Sequence, residues 1–127
     1  MWESLRNDGF DPLDLWEMVG QDKELLCKAV QIFGAQYPEI LRSIEGAAKQ
    51  GDESSVRRSS HKLKSALLQL AAPKAAATAA ELENSAIGGS PEHLAPLVEK
   101  LRVECDSLLQ SLLTMIREIP PAPGDGA

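Results

Sequence analysis

The sequence predicts an all-α protein, an antiparallel four-helix bundle with a short additional helix at its N-terminus. Apolar residues recur every three or four positions along almost the whole chain, and no segment alternates as a strand would. Aromatic residues make up only 4% of the 127 residues, so the core must be mainly aliphatic, which favours packed helices over a β-sandwich. Short connections between the periodic segments join neighbouring helices in antiparallel order.

The first two predicted helices begin at aspartate caps. Asp11 followed by Pro12 starts a short helix of about two turns. Asp22 starts a long helix that reaches about Gln50. Because Pro38 lies inside this second helix, we expect a kink there in an otherwise continuous helix.

The remaining helices are delimited by further caps, prolines and glycines. Their predicted extents are about 52–71, 73–87 and 90–119. Residues 1–119 are therefore predicted to form one helical domain. The proline- and glycine-rich residues 120–127 cannot continue the last helix and are predicted to form a disordered tail.

Composition argues against several functional classes. The formal charge of −6 opposes general nucleic-acid binding and adsorption to anionic membranes. No apolar run is long enough for a transmembrane helix, and the N-terminus lacks the pattern of a secretory signal. Cys27 and Cys105 lie on apolar helical stripes, which is typical of buried thiols in a reducing compartment, and no metal-ligand spacing is present. We therefore expect a cytoplasmic protein without a metal of its own.

The third predicted helix has two different faces. Its core side carries Val56, Ser60, Leu63, Leu67 and Leu70. His61 projects roughly 140° away from the centre of that stripe. The outer face around the histidine also carries Arg57, Arg58, Lys64, Ser65 and Leu68. A solvated basic face has a similar composition, but the chain is acidic overall, and a leucine beside the histidine favours a docking surface.

A histidine in this setting has three chemical roles available: general base, metal ligand or nucleophile. A base needs a substrate pocket, and no motif for one accompanies His61. A metal site needs a histidine or carboxylate three or four residues away, where this chain has arginine, lysine and serine. A nucleophile toward phosphorus fits better, because Lys64 and Ser65 can neutralise and hydrogen-bond phosphoryl oxygens.

The segment 60–66, Ser-His-Lys-Leu-Lys-Ser-Ala, resembles the histidine-containing phosphotransfer (HPt) family. That family shows a small residue, the phospho-accepting histidine, any residue, leucine, lysine, usually glycine, and another small residue. The resemblance covers about residues 10–118. Further residues that match family positions are Phe33, Tyr37-Pro38-Glu39, Gly51-Asp52 and Leu82-Glu83.

The resemblance implies a four-helix bundle that relays phosphoryl groups between aspartates of receiver domains. It implies that His61 accepts the phosphoryl group and that Lys64 contacts it, in a phosphocarrier rather than an enzyme. It also implies receiver domains and a hybrid sensor histidine kinase as partners, with Mg²⁺ held only by the receiver. The residues that we expect to contact the partner are Arg57, Arg58, Leu68 and Gln69.

The chain departs from the family pattern at two positions. Ser65 stands where glycine is usual, which places a hydroxyl group beside the phosphorylation site. Ala71 stands where a second glycine often occurs, and we expect a small residue there to permit close approach of helices. The alternative function is a non-phosphorylated adaptor that docks a receiver or kinase through the same face, although adaptors of that kind usually lose the histidine.

Overall fold

The computed structural model describes residues 2–7 and 9–119. Within them the chain forms a 3₁₀ turn at Glu3–Leu5 and five α-helices. The helices are α1 (Pro12–Met18), α2 (Lys23–Gln50), α3 (Glu53–Gln69), α4 (Pro73–Ser85) and α5 (Pro91–Glu118). This all-helical architecture confirms the predicted fold class. The tail predicted for 120–127 lies outside the described residues.

The helix boundaries agree with the caps that the sequence predicts. The side chains of Asp11, Asp22, Asp52 and Ser90 each accept a hydrogen bond from the backbone amide three residues later, at 3.1 to 3.2 Å. Each bond satisfies an amide that the first turn of a helix leaves without a partner. Helix α2 continues through Pro38, as expected.

Helices α2 to α5 form the bundle. Each packs against the next along the chain, and α5 closes the bundle by packing against α2. Helix α3 therefore lies diagonally opposite α5, with α2 and α4 on either side of it. The predicted core stripe of α3 is buried in full, from Val56 to Leu70, so the outer face of α3 is turned to solvent.

The N-terminal segment covers the end of the bundle where α3 ends and α4 begins. The indole Nε1 of Trp2 donates a hydrogen bond to the carbonyl of Met115 at 3.1 Å. Its ring packs edge-on against Trp16, with ring centroids 5.6 Å apart. The amide of Asp11 donates to the carbonyl of Ala71 at 3.2 Å. The sequence did not predict the burial of Trp2, because no helical period surrounds it.

Ala71 follows α3 in the left-handed backbone conformation, with φ of 56°. Its side chain is buried. In the family that the sequence resembles, glycine often occurs at this position. The positive φ explains that glycine better than the expected close approach of helices does. An L-residue is disfavoured at positive φ by its Cβ atom, whereas glycine adopts that conformation without this penalty.

A second residue, Gln21, has φ of 58° and is exposed, so it tests the cost of this conformation without a change in the core. The left-handed conformation costs a non-glycine residue roughly 1–2 kcal/mol. Glycine removes this cost, but its greater conformational entropy in the unfolded state lowers the gain in stability by about 0.5–1 kcal/mol. We therefore expect Gln21→Gly to raise the free energy of unfolding by about 0.5–1 kcal/mol. Ala71→Gly should gain less, because it also loses a buried methyl group. Urea unfolding followed by circular dichroism measures both, and a less stable Gln21→Gly variant would contradict the expectation.

Candidate functional site

His61 lies in the middle of α3, on the face opposite the buried stripe. Its side chain is 61% exposed, which agrees with the orientation predicted from the helical spacing. Side chains in an α-helix tilt toward the N-terminus, so the imidazole lies over the turn that precedes it. The ring is therefore accessible to a second protein without any opening of the bundle.

A carboxylate from the neighbouring helix contacts one edge of the imidazole. The Nδ1 atom of His61 lies 3.2 Å from both carboxylate oxygens of Glu83, which belongs to α4. The Nζ atom of Lys64, one turn after the histidine, lies 3.1 Å from Oε2 of the same carboxylate. Glu83 thus links the imidazole to the ammonium group and joins α3 to α4 at the site.

The charge on Glu83 sets the hydrogen-bonding pattern of the imidazole. The hydrogen bond from Lys64, and after it the one from His61, hold the pKa of the Glu83 carboxyl below its usual value. An ionised carboxylate only accepts hydrogen bonds, so a neutral His61 that bonds to it carries its hydrogen on Nδ1. The lone pair is then on Nε2, which has no hydrogen-bond partner among the described residues.

An open hollow adjoins the imidazole. It has a volume of about 380 Å³ and is lined by Ser54, Arg57, Arg58, His61 and Glu83. The Nη2 atom of Arg58 donates to Oγ of Ser55 at 3.3 Å, and that hydroxyl donates to the capping carboxylate of Asp52 at 2.6 Å. Arg57 forms no ion pair with any described residue. Two guanidinium groups therefore border the hollow next to the imidazole.

The other predicted site residues lie further along α3. Leu68 is 53% exposed, so it does not belong to the core. Ser65 is partly buried, and its hydroxyl group forms no hydrogen bond within the described part of the chain. Gln69 is exposed and lines a different cavity from His61. The structure thus brings Lys64 and the two arginines to His61 but separates Leu68 and Gln69 from it by about two helical turns.

The cavity that Gln69 lines is a largely apolar groove between α1, α2 and α3. Its volume is about 400 Å³. Three of its apolar side chains, Met18, Leu25 and Ile32, are about half exposed. The sequence placed Leu25 and Ile32 on the apolar stripe of the second helix, and the structure shows that this stripe is wider than the core needs. Helix α3 contributes Leu63, Ala66 and Gln69 to the groove, and Leu70 follows directly after the helix.

The sequence also led to predictions about metal ligands, membrane-spanning helices and the two cysteines. Across residues 2–7 and 9–119, no cluster of three or more histidine, cysteine, aspartate or glutamate side chains is placed to hold a metal ion. No helix in the same ranges has the length and apolar character needed to cross a membrane. Both cysteines are free thiols, but only Cys105 is buried as predicted, whereas Cys27 is partly exposed. Burial raises the pKa of Cys105 to about 12.

The family model of the Hpt domain matches residues 28–118. The chain belongs to the Hpt family. Hpt domains carry out histidine phosphotransfer in two-component phosphorelays and are phosphocarriers rather than enzymes. The match begins within α2 and ends at the last residue of α5, so it includes the whole of α3 and α4. Neither a curated protein nor a solved structure gives a significant match to this Hpt domain.

Glu83 is the residue of this Hpt domain whose role the sequence analysis missed. Leu82-Glu83 was noted as a family position, but no function was assigned to the carboxylate. Leu82 is fully buried, and its neighbour Glu83 therefore emerges at the border of α4 with α3. A carboxylate next to a buried leucine, on the helix that follows a basic face, was the available signal.

Proposed function

We propose that this Hpt domain relays a phosphoryl group between aspartates of receiver domains through a phosphohistidine formed at Nε2 of His61. The observation that supports this most directly is the contact of Glu83 with Nδ1 at 3.2 Å. That contact orients the ring and leaves Nε2 without a hydrogen-bond partner among the described residues, in a side chain that is 61% exposed. A nucleophile that serves protein partners needs this exposure, because the reacting aspartate belongs to another molecule.

The proposed transfer forms one phosphorus–nitrogen bond and breaks one phosphorus–oxygen bond. The Nε2 lone pair attacks the phosphorus of a receiver's aspartyl phosphate, and a phosphorus–nitrogen bond forms. The bond from phosphorus to the aspartate oxygen breaks, and the aspartate leaves with the electron pair as a carboxylate. The ring keeps the Nδ1 proton and becomes cationic, so the negative Glu83 carboxylate stabilises the product. Attack by the aspartate of a second receiver reverses these changes and restores neutral His61.

The partners follow from family membership and remain part of the proposal. Hpt domains interact with response regulators and kinases in phosphorelays. We propose that the phosphoryl donor is the receiver domain of a hybrid sensor histidine kinase, and that the receiver holds the Mg²⁺. This chain then supplies the nucleophile and cationic side chains but no cofactor. The two free thiols support a cytoplasmic location for this exchange.

The test uses a receiver domain carrying radiolabelled aspartyl phosphate. We expect the label to move to the Hpt domain as a phosphoramidate that is labile in acid and stable in base. Phosphorus–nitrogen coupling in the ¹⁵N-histidine-labelled protein should identify Nε2 of His61 as the modified atom. Coupling to Nδ1 would contradict the role given to Glu83. Tight receiver binding without any transfer would instead favour the non-phosphorylated adaptor.

The docking surface for the receiver is proposed to extend from His61 into the groove of α1, α2 and α3. A receiver that places its aspartate at Nε2 must also cover the adjacent turns of α3. Gln69, at the rim of the groove, lies only about 12 Å along the helix axis from His61. The half-exposed Met18, Leu25 and Ile32 supply apolar area for such a contact. The basic side chains near His61 then orient an acidic partner.

We expect Ile32→Asp to weaken receiver binding about five- to thirtyfold, because it places a charge in the apolar contact. Leu68→Asp should weaken binding several-fold, because Leu68 lies outside the groove but almost in line with His61 along α3. Calorimetric titration with a receiver measures both effects. Leu113→Asp is the matched control, since Leu113 is 41% exposed on α5, diagonally opposite α3. An equal loss of affinity in all three variants, or in none, would place the docking surface elsewhere.

A further inference from the structure

The cations around His61 are not equivalent. Lys64 is 3.1 Å from Glu83, and it does not line the hollow beside the imidazole. Its charge is therefore largely matched by the carboxylate that also contacts Nδ1. Two further cations lie in the turn before the histidine, where Arg57 and Arg58 line the hollow and form no ion pair with a described carboxylate.

We propose that Arg57 and Arg58 form an oxyanion subsite that binds the phosphoryl oxygens of the His61 phosphohistidine. This inference rests on the proposed function, because it requires that His61 is phosphorylated. The two arginines precede His61 by four and three residues, and residues with these spacings are neighbours on a helix surface. Because the imidazole tilts toward the N-terminus of α3, a group on its outer nitrogen enters the space that they border.

The charges around His61 favour a bound phosphoryl group. A phosphoryl group carries nearly two negative charges at neutral pH. Glu83 also lines the hollow and repels those oxygens, but its charge is offset by Lys64 at 3.1 Å. The two guanidinium groups, together with the imidazole ring that becomes cationic on transfer, then offset the charge of the phosphoryl dianion. Guanidinium groups bind pairs of phosphoryl oxygens through parallel N–H donors, which gives such a subsite directional as well as electrostatic preference.

The two arginines differ in how firmly they are held. Arg58 donates to Ser55 at 3.3 Å, and Ser55 is itself bonded to the capping carboxylate of Asp52. Arg58 is thus fixed by the hydrogen bonds that begin α3. Arg57 has no such tie and is exposed, so it is free to turn toward the phosphoryl group after transfer. The subsite accordingly combines one guanidinium held by a hydrogen bond with one that has no hydrogen bond or ion pair to a described residue.

The experiment uses phosphoramidate as a small-molecule donor, which removes any contribution from docking of a receiver. The Nε2 lone pair attacks phosphorus, the phosphorus–nitrogen bond of phosphoramidate breaks, and the leaving nitrogen departs as ammonia. The variants are Arg57→Ala, Arg58→Ala and the double variant. The matched control is Lys62→Ala, which removes the same charge one residue from His61 but does not line the hollow. Phosphorus NMR follows the rate of formation and the resonance position of the phosphohistidine.

We expect each single arginine variant to form phosphohistidine about tenfold more slowly than wild type, and the double variant more slowly still. The phosphorus resonance of the phosphohistidine should also shift in the double variant. Lys62→Ala should form phosphohistidine at a rate within about twofold of wild type. Arg57→Lys should recover part of the rate, since it restores charge without the bidentate donors. Circular dichroism tests whether the variants fold, and the exposure of both arginines predicts that they do.

The possible outcomes separate the two proposals. Phosphorylation of His61 at the same rate in the double variant and in Lys62→Ala would overturn the subsite and leave the phosphotransfer function intact. Slowing that occurs with a receiver donor but not with phosphoramidate would also overturn it, because the arginines would then act only in docking. A wild-type protein that forms no phosphohistidine with either donor would overturn the phosphotransfer function itself.

Discussion

Replacement of His61 by glutamine is expected to abolish phosphoryl acceptance and to leave the helical fold intact. Glutamine can accept and donate hydrogen bonds, but its amide nitrogen has no lone pair available to attack phosphorus. The His61 side chain is 61% exposed and lies outside the core, so we expect the free energy of unfolding to change by no more than about 0.5 kcal/mol. Label transfer from a phosphorylated receiver measures the first effect, and thermal unfolding measures the second.

The control for this experiment is His93→Gln, at the other histidine of the chain. His93 is exposed in the first turn of α5, and its side chain forms no hydrogen bond to a described residue. The His93→Gln variant should accept the phosphoryl group at the wild-type rate. Acceptance that persists in His61→Gln, or that moves to His93, would contradict the assignment of His61.

Replacement of Lys64 by alanine is expected to slow transfer about tenfold to a hundredfold without abolishing it. The Lys64 ammonium lies 3.1 Å from Glu83, on the same side of α3 as the imidazole. We propose that its three N–H donors are shared between Glu83 and one phosphoryl oxygen as the phosphorus–nitrogen bond forms. A charge-assisted hydrogen bond of this type contributes roughly 1.5–3 kcal/mol, and a loss of that size corresponds to the expected change in rate. Rapid-quench kinetics with a phosphorylated receiver measures it.

Measuring the effect of Lys64→Ala in a Glu83→Gln variant distinguishes two ways in which Lys64 can act. If Lys64 contacts the phosphoryl group, Lys64→Ala should slow transfer by a similar factor when Glu83 is also changed to glutamine. If Lys64 acts only by positioning the Glu83 carboxylate, the second change should have little further effect. A transfer rate in Lys64→Ala equal to that of the wild type would exclude both roles.

The orientation of His61 could be predicted from the sequence because it depends only on helical geometry. Each residue of an α-helix turns the side-chain direction by about 100°, so the buried stripe from Val56 to Leu70 fixes where residue 61 must point. The helix boundaries were predictable for a similar reason. Aspartate and serine caps act through bonds to amides three residues away, and such local bonds are visible in the order of residues.

The contact of His61 with Glu83 could not be predicted from the spacing of apolar residues along a single helix. Which residue of α4 meets His61 is set by the crossing angle and relative rotation of two helices, and these result from packing across the whole core. The burial of Trp2 has the same origin, since it requires α5 to present the carbonyl of Met115. The positive φ of Ala71 follows from the turn of the chain into α4, and the alanine itself gave no indication of it.

The reactive side chains and most of the apolar groove come from different stretches of the chain. His61, Lys64 and Glu83 all belong to the hairpin of α3 and α4, whose helices are joined by Leu70–Ala72. Most of the groove comes from α1 and α2. If receivers dock in the groove as proposed, substitutions in the first half of the chain change which receiver is recognised while His61 and its neighbours stay the same. Duplicated copies of such a gene would then diverge in signalling pathway through substitutions in α1 and α2. Both copies would keep the chemistry of the hairpin of α3 and α4.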